Sequence, residues 1–519
     1  MNKSIRRLVI FTLCLSFVLA VVIPSLAQGQ QAPPEYKELV AATQIKDAAA
    51  RLKEFERIKS AYPSSRFMTA IDFYILNAKV ELAATLEEVL ALQKAFLDQS
   101  KGVGRIQGPM LAADKILSHP KLAMFDQAAV LAAVLGYRDR SVKAAEEPDS
   151  FEGVPANQHA AFKSFVLTGF DVLAAQAHLN AGDADKALAE LETYKKDGGA
   201  PDDAYYYTLG GSYAAQGKMK EAYEAYLAAA AENHPMALAA ARDLYIKING
   251  KADGFEAAFD IKLKALPYHA EPFKAPAGWN GKTVLAELFT GSECPPCVAA
   301  DLGFDGLIES YPAKYLAVLE YHLPIPRPDP MINAATKARQ DYYGVGSTPT
   351  IFIDGDKDAT GGGTRSMGEA KFKQYKAAID GRVGAAPQVV LKLRATRSGD
   401  AVRAEYDLGG APAGMEYRLA LVQREEPYKG SNGLAYHKMI VRDLIAVEPA
   451  TRQASFDVAA SERAADAYLT EFENTNTRFR GYKFAERHAK IDRTKLAVVL
   501  FAQDPATKKV LNAVVAEVK

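Results

Sequence analysis

At 519 residues the chain is longer than one ordinary core needs, and a prior of about three domains follows. Its 63 basic and 63 acidic side chains cancel, so there is no electrostatic reason to expect nucleic acid or an anionic membrane as partner. With 49% hydrophobic and 24% charged residues, its make-up is that of soluble globular protein.

Lys3, Arg6 and Arg7 precede an apolar run from Leu8 to Ile23, followed by Pro24, Ser25, Leu26 and Ala27. A basic head, an apolar middle and small residues at Ser25 and Ala27 describe a secretory leader, residues 1–27, cut after Ala27. The alternative is an uncleaved anchor helix. Cys14 follows Leu13 rather than a small residue, so a lipid anchor is not expected. A cleaved leader implies a periplasmic or secreted protein, and no later stretch approaches the ~20 apolar residues that span a bilayer. Removing the leader leaves two cysteines, Cys294 and Cys297. A disulfide-stapled secreted fold would carry more, spread more widely, so two neighbouring thiols point to chemistry rather than to a framework.

Residues 35–267 read as successive helices rich in Ala, Leu, Lys and Glu. In the clearest unit, Asp203 to Pro235, Tyr206, Leu209, Gly210 and Tyr213 lie on one helix and Ala222, Tyr226 and Ala229 on the next. These spacings resemble a tetratricopeptide repeat, whose small residues let paired helices approach closely. Gly182 to Ala187 with Leu191 and Tyr194 is similar to half a repeat, and Leu52, Phe55, Ile58, Tyr62 and Pro63 to a third. An α-solenoid is expected, with a concave surface suited to a protein partner; an irregular helical domain is the alternative. Residues 268–281, holding Pro272, Pro276, Gly278 and Gly281, read as a linker.

From Lys282 short β-rich runs alternate with helical ones. Strands are expected at Lys282–Phe289, Tyr315–His322 and Thr350–Asp354, and helices at Pro295–Ser310, Met331–Tyr343 and Gly368–Asp380. Residues 282–385 are therefore expected to form an α/β domain with crossover connections. Beyond it, Val389–Ala395, Ala401–Leu408, Tyr417–Gln423, Gln453–Val458, Leu496–Gln503 and Val510–Val518 read as strands, with a long, partly helical connection from Ser461 to Asp492. An antiparallel β-sandwich over 386–519 is the expected fold.

Within Glu287-Leu-Phe-Thr-Gly-Ser-Glu-Cys-Pro-Pro-Cys297, a strand runs into a turn and Cys294 opens a helix. A helix N-terminus stabilises negative charge, and only the thiolate attacks disulfides. Pro295 and Pro296 carry no N–H, which leaves the amide of Cys297 as the nearest expected donor to the Cys294 sulfur. A thiol of pKa ~8.5 is only a few per cent ionised at neutral pH, whereas one near ~6 is mostly thiolate. Cys294 is assigned as the attacking nucleophile and Cys297, a turn inward, as the resolving thiol. The same spacing is half a zinc site, but no second cysteine pair completes it even with His322, so neither metal nor cofactor is expected.

Further on, Gly344-Val-Gly-Ser-Thr-Pro-Thr-Ile-Phe-Ile-Asp-Gly355 leads from a helix through a turn into a strand opened by Thr348-Pro349. Cys-Pro-Pro-Cys at a strand-to-helix turn followed by this Thr-Pro resembles the thioredoxin superfamily, over about residues 282–382. The resemblance implies that Pro349 is cis and lies against the cysteines, and that Thr348 presents its backbone to an extended substrate, with Pro295 and Pro296 beside it. It also implies a buried acid beneath the pair as proton relay, for which Glu287 is the candidate. Glu287 stands one residue further from Cys294 than the family's usual offset, and one residue on a strand reverses the face. Glu293 stands where the family has Trp, and its carboxylate opposes thiolate formation and acidic substrates.

The run Tyr321-His-Leu-Pro-Ile-Pro-Arg-Pro-Asp-Pro330 is similar to that of exported bacterial thioredoxin-like proteins, and Tyr428 to Asp443 to the β-domain of outer-membrane-associated relatives. His437, Arg442 and Asp443 in the latter read as a hydrogen-bonded structural knot. The whole implies an exported thiol–disulfide oxidoreductase acting on protein thiols or disulfides, with a membrane or soluble redox donor. The resemblance to envelope thioredoxins that keep partner thiols reduced points to the reductive direction. The alternative is an envelope scaffold whose redox fold is inherited. A thiol peroxidase fits less well, because Gly291-Ser-Glu-Cys294 lacks the Thr-x-x-Cys setting.

Overall fold

The structure is a computed structural model that describes residues 33–275, 277–357, 361–410 and 414–519. The expected leader, residues 1–27 with Cys14, lies outside the described residues. The chain divides into two compact units, Met1–Phe255 and Glu256–Lys519. No described helix is long and apolar enough to cross a membrane.

The first unit is helical. Its helices are α1 (Pro34–Thr43), α2 (Ala48–Ala61), α3 (Met68–Leu82), α4 (Leu86–Leu97), α5 (Gly104–Leu117), α6 (Gln127–Ala144), α7 (His159–Asn180), α8 (Ala184–Lys196), α9 (Asp203–Ala215), α10 (Met219–Ala231) and α11 (Ala237–Asn249). Several start where a side chain satisfies the free amides of the first turn: Asp47, Thr85, Asp126, Asp183 and Asp202 each accept from an N–H of their own helix. The sequence unit Asp203 to Pro235 becomes the neighbouring helices α9 and α10, and Ala222 and Ala229 are fully buried between helices. A Cβ on Gly210 would stand 2.7 Å from the Tyr226 ring, so glycine lets these two helices meet.

The second unit opens with α12 (Phe255–Lys264), whose first residue belongs to the helical unit. Residues 268–281, expected as a linker, are packed instead. Tyr268 stacks on Phe372, Phe273 lies against Tyr311 and Tyr315, and Trp279 donates to the Val383 carbonyl at 2.8 Å. Three aromatic side chains in fourteen residues cover apolar surface, which the prolines and glycines of the segment masked.

The remaining elements are β1 (Val284–Thr290), α13 (Val298–Ser310), β2 (Leu316–His322), α14 (Ala334–Tyr343), β3 (Thr350–Ile353), β4 (Asp356–Lys357), α15 (Gly368–Asp380), β5 (Val390–Ser398), β6 (Ala401–Gly409), β7 (Glu416–Pro427), β8 (Tyr436–Val447), β9 (Gln453–Asp457), α16 (Val458–Thr475), β10 (Leu496–Gln503) and β11 (Val510–Glu517). An 8-stranded mixed sheet has the order β11-β10-β7-β8-β2-β1-β3-β4, and β5-β6-β9 form a 3-stranded antiparallel sheet. β1 and β2 run parallel across α13, and β3 is antiparallel to β1.

The boundary expected at 385/386 does not separate two sheets, because β8 pairs with β2 and brings β7, β10 and β11 into the same sheet. Alternation along the strands explains the layering. On one face, Ala286, Leu288 and Val318 pack against α13 and α15, while Leu419, Leu421, Val498 and Leu500 pack against the small sheet through Val402, Ala404 and Phe456. On the other face, Leu285, Phe289, Leu319, Val422 and Phe501 form one core with residues around α14. The sandwich expected for 386–519 is thus reduced to three strands over part of a larger sheet.

Candidate active site

β1 ends at Thr290, the turn Gly291–Glu293 follows, and Cys294 caps a 3-10 turn, Pro295–Cys297, that leads into α13. The two prolines suit this entry because their φ is fixed and they lack the N–H that a first turn leaves free. Cys294 and Cys297 form a disulfide with a Cα–Cα distance of 5.3 Å. The expected amide contact to the Cys294 sulfur is absent: the Cys297 N–H donates to the Cys294 carbonyl at 2.9 Å. The tight 3-10 geometry takes that donor for the backbone, leaving the helix end itself as the favourable field.

The sulfur of Cys294 lies 3.4 Å from the Thr348 hydroxyl oxygen and 3.8 Å from the Thr348 carbonyl. Thr348-Pro349 is cis, as is Ile325-Pro326, and the Thr348 hydroxyl donates to the Ile325 carbonyl at 2.8 Å. The structure therefore brings Cys294, Cys297, Thr348 and Pro349 together. Pro295 and Pro296 are exposed beside them, whereas both sulfur-bearing residues have 0% exposure.

Two segments close over the turn. Gly363 donates its N–H to the Pro296 carbonyl at 2.8 Å, and a Cβ on Gly362 would stand 1.7 Å from that oxygen. From the chain after β7, Asn432 donates to the Ser292 carbonyl at 2.9 Å, and a Cβ on Gly430 would stand 2.3 Å from the same atom. The Tyr428 hydroxyl donates to Glu293 at 2.9 Å, so the carboxylate beside Cys294 is held by a phenol. Tyr428 also lines a cleft of roughly 500 Å³, with Pro330, Lys429, Tyr482 and Phe484.

Glu287 is not part of this cluster. It is fully buried on the sheet face opposite α13, where it accepts from Arg339 Nε at 2.7 Å and Nη2 at 2.9 Å, from Tyr343 at 2.7 Å and from Tyr321 at 3.0 Å. Burial works against the Arg339 charge, yet Glu287 holds the guanidinium well above its ordinary value. The one-residue offset in sequence is a reversal of face in the sheet.

The acids on the cysteine side are Asp301, Asp305 and Glu320, which sequence reasoning missed. Asp301 stands one helical turn after Cys297 on α13 and accepts from Thr290 at 2.6 Å; its second oxygen has no partner. Burial pushes its carboxyl well above the usual range, with Asp305 and Asp329 adding to the effect. Glu320, on β2, is raised by burial and by Asp301 and Asp305, and one of its oxygens is likewise unpartnered. Asp305, paired with Lys438 at 3.4 Å, is raised to about 6 by burial. The legible signal was position: Asp301 follows Cys297 by four residues on a helix, and Glu320 and His322 alternate with apolar residues on β2.

His322 is buried with Asp329, its Nδ1 2.9 Å from Asp329 Oδ2. The same oxygen accepts from the Ser292 N–H at 2.6 Å and the Ser292 hydroxyl at 2.8 Å. Of the polar knot, His437 stands edge-on to His322 at 5.1 Å between ring centres and lies 3.1 Å from the Tyr428 carbonyl; Arg442 donates to Gln423 and His488, and Asp443 accepts from Ser461. Among the described residues no group of His, Cys, Asp and Glu is arranged to hold a metal ion.

These features define a two-unit protein, helical then mixed-sheet, with a vicinal-spaced disulfide at the head of a helix. No protein-family model and no curated protein matches the sequence. A solved structure, HBP35 of Porphyromonas gingivalis, aligns with 45% of this chain and 74% of its own, at 15% identity and a TM-score of 0.30. No family assignment follows from these comparisons.

Proposed function

We propose that the chain is an exported thiol–disulfide oxidoreductase of thioredoxin-like fold that exchanges disulfides with partner proteins through Cys294 and Cys297. The observation that carries this reading is the Cys294–Cys297 bond at the start of α13 with Thr348, which opens the cis Thr348-Pro349 bond, against the first sulfur. The order β1-α13-β2-α14-β3-β4-α15 supports the fold, and the sequence of residues 1–27 supports export.

In the reduced form, Cys294 attacks one sulfur of a substrate disulfide as thiolate, forming a mixed disulfide and releasing the other sulfur as a thiol. Cys297 then attacks the Cys294 sulfur, frees the second substrate thiol and restores the internal bond. Each cycle moves two electrons and two protons to the substrate, and a dithiol donor must supply them again. Asp301, a turn beyond Cys297, has its carboxyl raised well above the usual range by burial, so that in its ionised form it is the base suited to take the proton that Cys297 gives up, with Glu320 raised beside it. The Thr348 backbone and the exposed Pro295 and Pro296 form the ledge on which an extended substrate lies, and the helical unit offers a surface for a protein partner.

Purified chain is expected to reduce insulin with a dithiol donor, and Cys297→Ser to accumulate mixed disulfides with its partners in the native envelope. A purified chain that neither reduces insulin nor oxidises a reduced model protein would overturn the reading. A second reading, an envelope scaffold that does not turn over, is favoured by one observation: both cysteines are wholly buried in the disulfide state. Cys294→Ser separates the two, since a scaffold keeps its partners and phenotype without that sulfur.

A further inference from the structure

Asp329 is a buried carboxylate bonded directly to the turn before Cys294. It is 0% exposed, and its Oδ2 takes both hydrogen-bond donors of Ser292, two residues before Cys294, together with His322 Nδ1; Oδ1 takes the Met331 N–H at 2.8 Å. Donors aimed at a carboxylate are not available to a thiolate, and a buried anion held beside the turn opposes a second one forming on Cys294. His322 is packed on the same oxygen through its Nδ1. Its Nε2 has no hydrogen-bond partner among the described residues.

We propose that the Asp329–His322 pair, acting through Ser292, sets how readily Cys294 ionises, and so sets the position of the thiol–disulfide equilibrium. This rests on the redox reading above. Both are positioning residues, since neither touches the reacting sulfurs. Burial works to raise the Asp329 carboxyl, but His322 and the hydrogen bonds from His322, Met331 and Ser292 outweigh it and hold it at about 2, so it is an anion throughout the working range. The other titratable and charged groups that feel this pair are Asp301 from α13, His437 and Arg442 from β8, Tyr428 from the loop that covers the turn and Tyr482 from the chain after α16. Burial drives His437 down to about 3, with His322 adding to the effect, so it stays neutral. It therefore contributes shape rather than charge to the back of His322.

The step concerned is balanced within the proposed cycle. Reducing the internal bond takes two electrons and two protons from a dithiol donor, which becomes a disulfide, and loss of one proton from Cys294 yields the attacking anion. An anion nearby raises the cost of that last step and, by the same interaction, favours the disulfide over the dithiol.

The test uses the chain without its leader, reduced, in a Cys297→Ser background, with iodoacetamide alkylation of Cys294 followed against pH. Asp329→Asn removes the charge and keeps the shape; its midpoint is expected to fall by on the order of one pH unit. His322→Gln removes the ring that holds the Asp329 carboxyl down, and its midpoint is expected to rise. With Cys297 restored and at a pH above both midpoints, Asp329→Asn shifts the equilibrium with glutathione about tenfold towards the dithiol, ~30 mV for two electrons. Midpoints for both variants that coincide with the parent overturn the proposal. Should circular dichroism show that Asp329→Asn does not fold, the His322→Gln midpoint decides alone: a rise supports the proposal and no change or a fall overturns it. A wild-type disulfide that does not exchange with glutathione at all sinks the redox reading instead, which is a separate result.

Discussion

Replacing Glu287 by Gln removes one charge from the centre of the second unit and changes almost no volume. Glu287 is fully buried and Arg339 is 3% exposed, and the carboxylate accepts four hydrogen bonds while the guanidinium also donates to Gln503 at 2.8 Å. A glutamine at this position turns an –NH2 towards the arginine's own donors and leaves its charge unanswered in the core. Two unit charges about 4 Å apart at an effective dielectric near 20 attract by ~4 kcal/mol. Breaking buried pairs costs about 3–5 kcal/mol. The two figures agree, and the urea midpoint should fall by about 1 M or more. Arg339 also stacks on Tyr343 and Phe501, so Arg339→Met added to Glu287→Gln should recover most of the loss by removing the orphaned charge and keeping the bulk. The assay is urea unfolding alongside the pH dependence of disulfide exchange. An unchanged midpoint, with a flattened pH profile, would refute the structural role and return Glu287 to the proton path.

Gly430→Ala and Gly362→Ala each place a methyl into a backbone oxygen, 2.3 Å from Ser292 and 1.7 Å from Pro296 respectively. Each should cost about 1–3 kcal/mol and speed attack on the buried disulfide by a small phosphine; equal reduction rates would show that these segments do not cover it. Asp301, Asp305 and Glu320 bind protons in the fold that the unfolded chain has already lost, so stability should fall as pH rises from ~4 through the folded value, about 6 for Asp305. Asp329, held at about 2, acts oppositely, its contribution present above ~4 and lost as pH falls towards 2. Urea stability should therefore peak in mild acid, and Asp301→Asn should flatten the fall towards neutrality by roughly 1.4 kcal/mol per pH unit, the slope that one retained proton produces; an unaltered slope would contradict this. In the helical unit, Gly210→Ala meets the Tyr226 ring and should lower stability by about 1–3 kcal/mol, read as a lower thermal midpoint.

The local grammar of residues 282–385 was readable because each element carried its own signal. Gly368–Asp380 coincides with its helix, and the strand and helix at the cysteines shift by only a residue or two apart from the 3-10 entry. β8 was not readable as a strand. Lys438, Arg442 and Asp443 break its apolar pattern, and only their partners Asp305, Glu426 and Ser461, far away in sequence, make them interior residues. The ladder slips between Leu421 and Val422, so Arg442 stands outside the register and the period is interrupted where the charge is densest. The same non-locality hid the site. Cys294, Cys297 and Thr348-Pro349 announced themselves by spacing and type, whereas Asp329 and Asn432 act through Ser292, and nothing local marks them as its partners.

That non-locality bears on what the C-terminal strands are for. Had they formed a separate sandwich, β2 would be an edge strand of its sheet. Instead β8 lies beside β2, with Ile440 opposite Glu320, and the chain leading into it passes over the turn before Cys294 through Tyr428, Gly430 and Asn432. The pairing that completes the sheet thereby buries the acid under the cysteine helix, backs His322 with His437 and ties Glu293 to a phenol. The C-terminal strands thus supply a neighbour to β2, a loop over the turn before Cys294 and a phenol to Glu293, and so share in building the surroundings of the disulfide.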